Sequence, residues 1–69
     1  MMGSIVFIKS LDKHPEVHDA SVSIKKDTKF DNVKKDSHIP VFAHSPSMSG
    51  TMFLNVGNLI ESGYVKYAD

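Results

Sequence analysis

No cysteine occurs in this chain, and in a sequence of 69 residues that absence constrains the fold more than any motif present. A domain of this size buries only about 60% of the surface its unfolded chain exposes. Small domains often compensate with disulfides or a structural metal. Without cysteine, disulfide staples and thiolate zinc sites are both excluded. Stability must come from a well-packed core, from self-association, or from a partner that completes the fold. A single domain over residues 1–69 is expected, since a chain this short closes one core. A homo-oligomer is the favoured route to added stability.

The balance of 41% apolar and 23% charged residues is that of an ordinary globular chain. Its longest apolar run, Ile5-Val6-Phe7-Ile8, falls far short of the roughly 20 residues that span a bilayer. Met1-Met2-Gly3-Ser4 lacks the basic and long apolar regions of a signal peptide. Gly3 does not directly follow the first methionine, so myristoylation is not expected either. The cytoplasm is the expected location, with no membrane association.

Every one of the eight basic residues is lysine, balanced by eight acidic residues. Without arginine, the planar fork that reads guanine edges and clamps phosphates is missing. Sequence-specific recognition of nucleic acid is therefore not expected.

Ser4 to Lys9 reads as a strand in the middle of a sheet, from its run of β-branched and aromatic residues. Leu11 to Asp19 is polar, contains Pro15, and reads as a loop or one helical turn. Ala20 to Lys25 alternates cleanly, turning Ala20, Val22 and Ile24 inward as a half-buried strand. Lys25 to Ser37 reads as a charged, solvated connection pinned by Phe30 and Val33. His38 to Ala43 is strand-like, and Pro40, which cannot donate to a ladder, makes it an edge strand. His44 to Thr51 is a loop of small residues.

From Thr51 to Ser62 the apolar residues Met52, Phe53, Val56, Leu59 and Ile60 share one helical face. Gly63 stands where a glycine ends a helix, although Val56 to Leu59 also has the pattern of a hairpin turn. Tyr64 to Tyr67 closes the chain as a short strand. The expected fold is α+β, in the order βββαβ, with an antiparallel sheet of about four strands and one helix packed on one face.

Four features bear on function. First, a helix beginning near Thr51 would aim its N–H groups into the loop of His44, Ser45, Ser47, Ser49, Gly50 and Thr51, which suits a phosphate or carboxylate. The plainer reading makes Ser49 or Thr51 the helix N-cap. Second, His14 and His18 have the spacing of a metal pair on a helix, with Glu16, Asp19, His38 and His44 as further ligands. Pro15 works against that helix, and the residues read better as surface histidines, with no metal site expected.

Third, the stretch from Lys25 to Lys35 could track a nucleic-acid backbone, with Phe30 as a stacking platform. Its five lysines stand against Asp27 and Asp31 within that span, with Asp36 next to it. So low a net charge binds phosphates poorly at physiological salt. Fourth, Glu61 is the only acidic, lysine or arginine residue between Ser45 and Val65. Low charge combined with methionine, which adapts to a partner's surface, marks Met48, Met52, Phe53, Val56 and Ile60 as an interface.

The segment Asn58 to Val65 is similar to the helix-to-wing junction of a winged-helix domain. The three-helix body of such a domain is missing, and no function follows from the resemblance. No nucleophile elbow, paired carboxylates or glycine-rich cofactor fingerprint is present. The expectation is a non-enzymatic binding module without cofactor, a small inhibitor or adaptor acting through a protein interface. Capture of an anionic metabolite or nucleotide phosphate at Ser45 to Thr51 is the alternative, and weak nucleic-acid binding through the lysines comes after it. Small size alone suggests origin in a virus or mobile element.

Overall fold

The computed structural model describes residues 3–34 and 36–68. Seven strands and one helix follow in the order β1 (Gly3–Phe7), β2 (Leu11–Lys13), β3 (Ser21–Ile24), β4 (Lys29–Val33), β5 (His38–His44), β6 (Ser49–Asn55), α1 (Val56–Glu61) and β7 (Val65–Tyr67). They form two antiparallel sheets, one ordered β4-β1-β7 and the other β2-β3-β5-β6. Strands take up 52% of the described residues and helix 9%, so the expected α+β fold of order βββαβ is corrected to a small, predominantly β fold.

The correction turns on Leu54. A helical reading of Thr51 to Ser62 puts Met52 and Phe53 on one face and leaves Leu54 outside it. Period-two alternation instead turns Met52 and Leu54 inward and Phe53 outward. Leu54 is fully buried while Phe53 is 58% exposed, so the alternation decides. The helix starts only at Val56, where the Asn55 side chain accepts the Asn58 N–H at 3.0 Å as N-cap. Ser49 and Thr51 lie in β6 and cap nothing. At the other end Tyr64 N–H donates to the Leu59 carbonyl and Gly63 N–H to that of Ile60. With Gly63 at φ +80°, this is a Schellman close, as expected of that glycine.

The charged connection after Lys25 also holds a strand, β4, paired with β1. Phe30 and Val33 are three residues apart, which in a regular strand sends them to opposite faces. One extra residue on β4 shifts the register between Ile5↔Phe30 and Gly3↔Val33. Asn32, at φ +58°, takes up that bulge, and both apolar side chains reach the core. β1 is the central strand of its sheet, as expected, with Ile5 and Phe7 fully buried. Ala20, Val22 and Ile24 turn inward as their alternation predicts. Leu11 to Lys13 forms β2 in place of the expected loop, and Leu11 is its one buried residue.

β5 lies inside its sheet rather than at the edge. It nevertheless meets β3 only at Ser21↔His44 and Val22↔Ala43, while it pairs with β6 from His38↔Asn55 to His44↔Ser49. Pro40 adds no donor to that short pairing, which stops before reaching it. Lacking an N–H, it can stand opposite Phe53 only as a non-hydrogen-bonded pair, so its backbone faces β3 and offers no donor there.

His14 ties the two ends of this sheet together. It follows β2 at one end, and its Nε2 lies 3.2 Å from the Phe53 carbonyl of β6 at the other. Its Nδ1 accepts the N–H groups of Glu16 and Val17 at 3.1 and 3.0 Å. An Nδ1 that accepts leaves Nε2 as the donor to Phe53. Nearby, the Asn58 side chain donates to Glu16 at 2.9 Å. The sheet therefore curls, and side chains from both sheets and α1 join in one core cluster.

Candidate functional site

The feature that stands out is the outer face of the β5–β6 hairpin. Strand alternation sends Ile39, Val41 and Ala43 into the core and leaves Pro40, Phe42 and His44 outside. Across the ladder Phe53 stands opposite Pro40, and Thr51 opposite Phe42. Phe42 is 68% exposed and Phe53 58%, on the same face of adjoining strands. Met48, 64% exposed, stands at the tip of the hairpin.

Beside this face, where β3 and β5 part, lies a cleft of about 510 Å³. Val22, Ile24 and Val41 form its floor with Phe30, and Pro40 and Phe42 form a wall. Ser21, Ser23, Thr28 and His44 add polar groups, and among the described residues no carboxylate or ammonium lines it. Its lining is largely apolar.

The residues singled out from sequence divide. Met48 and Phe53 are exposed, whereas Met52 and Ile60 are half-buried against the core and Val56 is wholly inside it. His44, Ser49 and Thr51 come together on the outer hairpin face, beside Phe42 and Phe53. Ser45 is buried and spent on the turn: its N–H donates to the Met48 carbonyl at 2.8 Å, and its hydroxyl accepts the Met48 N–H at 3.2 Å. Ser47 is exposed in that turn, and Gly50 lies within β6. No helix end faces this loop, since α1 begins at Val56, so the dipole argument for an anion there loses its basis.

His14 and His18 do not converge: His14 is buried in its backbone contacts and His18 is exposed. Among the described residues no group of three or more histidine, aspartate or glutamate side chains is placed to hold a metal ion. Lys25, Lys26, Lys29 and Lys34 are exposed, and Lys29 approaches Asp31 at 3.7 Å. Lys35 lies outside the described residues. Phe30 is half-buried, its ring centroid 6.2 Å from that of Phe7, so it is no free stacking platform.

Sequence reasoning missed Phe42 and the cleft. Alternation through Ile39, Val41 and Ala43 was the signal for Phe42, because it forces that ring outward. Among the described residues no helix is long and apolar enough to cross a membrane. No family model, curated protein or solved structure matches the chain.

Proposed function

We propose that this protein is a non-enzymatic binding module that docks a partner protein on the outer face of its β5–β6 hairpin. The observation that carries the reading is the pair of phenylalanines, Phe42 and Phe53, exposed on a face that among the described residues of β5 and β6 holds no acidic or lysine side chain. Large apolar side chains grouped on the surface mark an interaction site, and aromatic residues dominate binding energy at such sites. Neither the anion reading nor the nucleic-acid reading has an observation of comparable weight.

The test is recovery of a bound protein by the intact chain and by Phe42→Asp and Phe53→Asp variants. Both side chains lie outside the core, so the variants keep the circular dichroism spectrum of the parent. The expected result is a protein retained by the parent and lost from both variants. Equal retention by all three sinks the reading. Sedimentation velocity separates a foreign partner from a second copy: self-association rises with concentration, and a foreign partner is needed where it does not.

A further inference from the structure

We infer that the open edge of β6 pairs antiparallel with the same edge of a second copy, about a two-fold axis at Gly50. Ser49 of each chain then stands opposite Thr51 of the other, and the four-stranded sheets of the two copies join into one. The inference goes beyond the docking reading and does not rest on it.

Which backbone groups face the edge is fixed by hydrogen bonds at both ends of the hairpin. Ser45 N–H donates to the Met48 carbonyl, and Val56 N–H to that of Ser37. Both continue the register in which Ala43 faces Gly50, Val41 faces Met52 and Ile39 faces Leu54. Hydrogen-bonded and non-hydrogen-bonded pairs alternate along an antiparallel ladder, so Gly50, Met52 and Leu54 turn their backbone groups to β5. Ser49, Thr51 and Phe53 turn theirs outward. The Phe53 carbonyl agrees, since it receives His14 Nε2 from that side. Among the described residues nothing pairs with the N–H or the carbonyl of Ser49 or Thr51.

This edge also lacks the usual protection. Charged side chains, proline or a bulge commonly blunt an exposed edge strand. Edge strand β2 carries Asp12 and Lys13, β4 carries Lys29, Asp31 and a bulge, and β7 carries Lys66. β6 carries none of these.

Symmetry selects the occupant. His14 covers the edge at Phe53 and the turn ends it before Ser49, so Ser49 and Thr51 are the open residues. Antiparallel pairing about Gly50 matches every one of their free groups, each Ser49–Thr51 contact exchanging both bonds. Gly50 brings no side chain to the axis, and the space where a Cβ would stand is empty. With the edge uncharged, neither copy meets like charge. Met48, 64% exposed, comes opposite Met52 of the second copy.

So short a seam makes a weak, reversible dimer. Sedimentation equilibrium of the purified chain up to about 1 mM is expected to show a mass approaching twice that of the monomer. Thr51→Pro deletes an outward N–H that bonds nothing within the chain, so circular dichroism stays that of the parent. The dissociation constant then rises about thirtyfold or more, one hydrogen bond being lost on each side of the axis. Crosslinking reads the register, since the chain has no cysteine of its own. Opposed Cα atoms in such a pair lie about 5.5 Å apart, within reach of a disulfide. Under mild oxidation, Ser49→Cys chains mixed with Thr51→Cys chains are expected to form the mixed dimer in excess over either chain's own.

The inference falls if the chain stays monomeric at about 1 mM, if Thr51→Pro leaves the dimer intact, or if Thr51→Cys chains crosslink best among themselves. It falls equally if a monomeric chain retains a foreign protein that Thr51→Pro releases. A dimer lost on Phe42→Asp but kept on Thr51→Pro places the contact on the outer face and overturns it too. Recovery of a partner protein by the Thr51→Pro chain, set against its loss from Phe42→Asp and Phe53→Asp, tests the docking reading separately, so either reading can fall alone.

Discussion

Along one side β5 holds β6 through seven consecutive residue pairs; along the other it meets β3 at only two. The same strand is thus a sheet interior on one edge and the wall of an opening on the other. Hydrogen-bond parity makes the two edges differ. Residues 39, 41 and 43 turn their backbone groups to β6, and 38, 40, 42 and 44 turn theirs to β3. A proline at an even position spares the long ladder and offers the β3 side no donor. The chain keeps its stability in the hairpin and leaves its accessible surface at the seam.

Moving the proline tests this most severely. Val41→Pro removes a donor facing β6, orphans an acceptor in the long ladder and empties part of the core. It is expected to cost roughly 2–4 kcal/mol in urea unfolding. A cost near zero would mean that the two edges do not differ in this way.

A smaller loss is expected where the long ladder nears the turn. Gly50 stands opposite Ala43 at φ +153°, a conformation that side chains with a Cβ rarely adopt. No atom would obstruct the added Cβ, so the penalty of Gly50→Val is conformational, about 1–3 kcal/mol in the same measurement.

The smallest effect has the opposite sign. Pro40→Val restores a donor on the β3 side, and extension of the short ladder is expected to add up to about 1 kcal/mol. Hydrogen exchange checks it: the amide introduced at position 40 becomes slow as the cleft narrows. If it exchanges as fast as an exposed loop amide, something other than proline holds the strands apart.

How much of this was legible beforehand follows the same physics. Ile5 to Ile8 and Ala20 to Ile24 announce strands because their patterns are local and uninterrupted. Gly63 announces the helix end because a left-handed residue is needed there. β4 was hidden because its bulge at Asn32 breaks the alternation that would reveal it. β6 was hidden because Met52, Phe53 and Val56 satisfy a helical spacing as well as a strand, and only the burial of Leu54 separates the two. Of the residues that low charge and apolar content mark as an interface, Met48 and Phe53 are exposed, whereas Val56 lies inside the core. The cleft had no local signature, because it is the place where two strands distant in sequence cease to pair.

The His14 contact carries a consequence for the order of folding events. It joins residues 39 apart in sequence, with β3 and β5 standing between β2 and β6 in the sheet. Contacts of such long range close late, because the intervening loop entropy must be overcome first. His14→Ala is therefore expected to speed unfolding in a stopped-flow chevron and to leave the refolding rate nearly unchanged, as for interactions absent from the transition state. The imidazole would then govern how long the native fold survives, while the hairpin governs how fast it is reached.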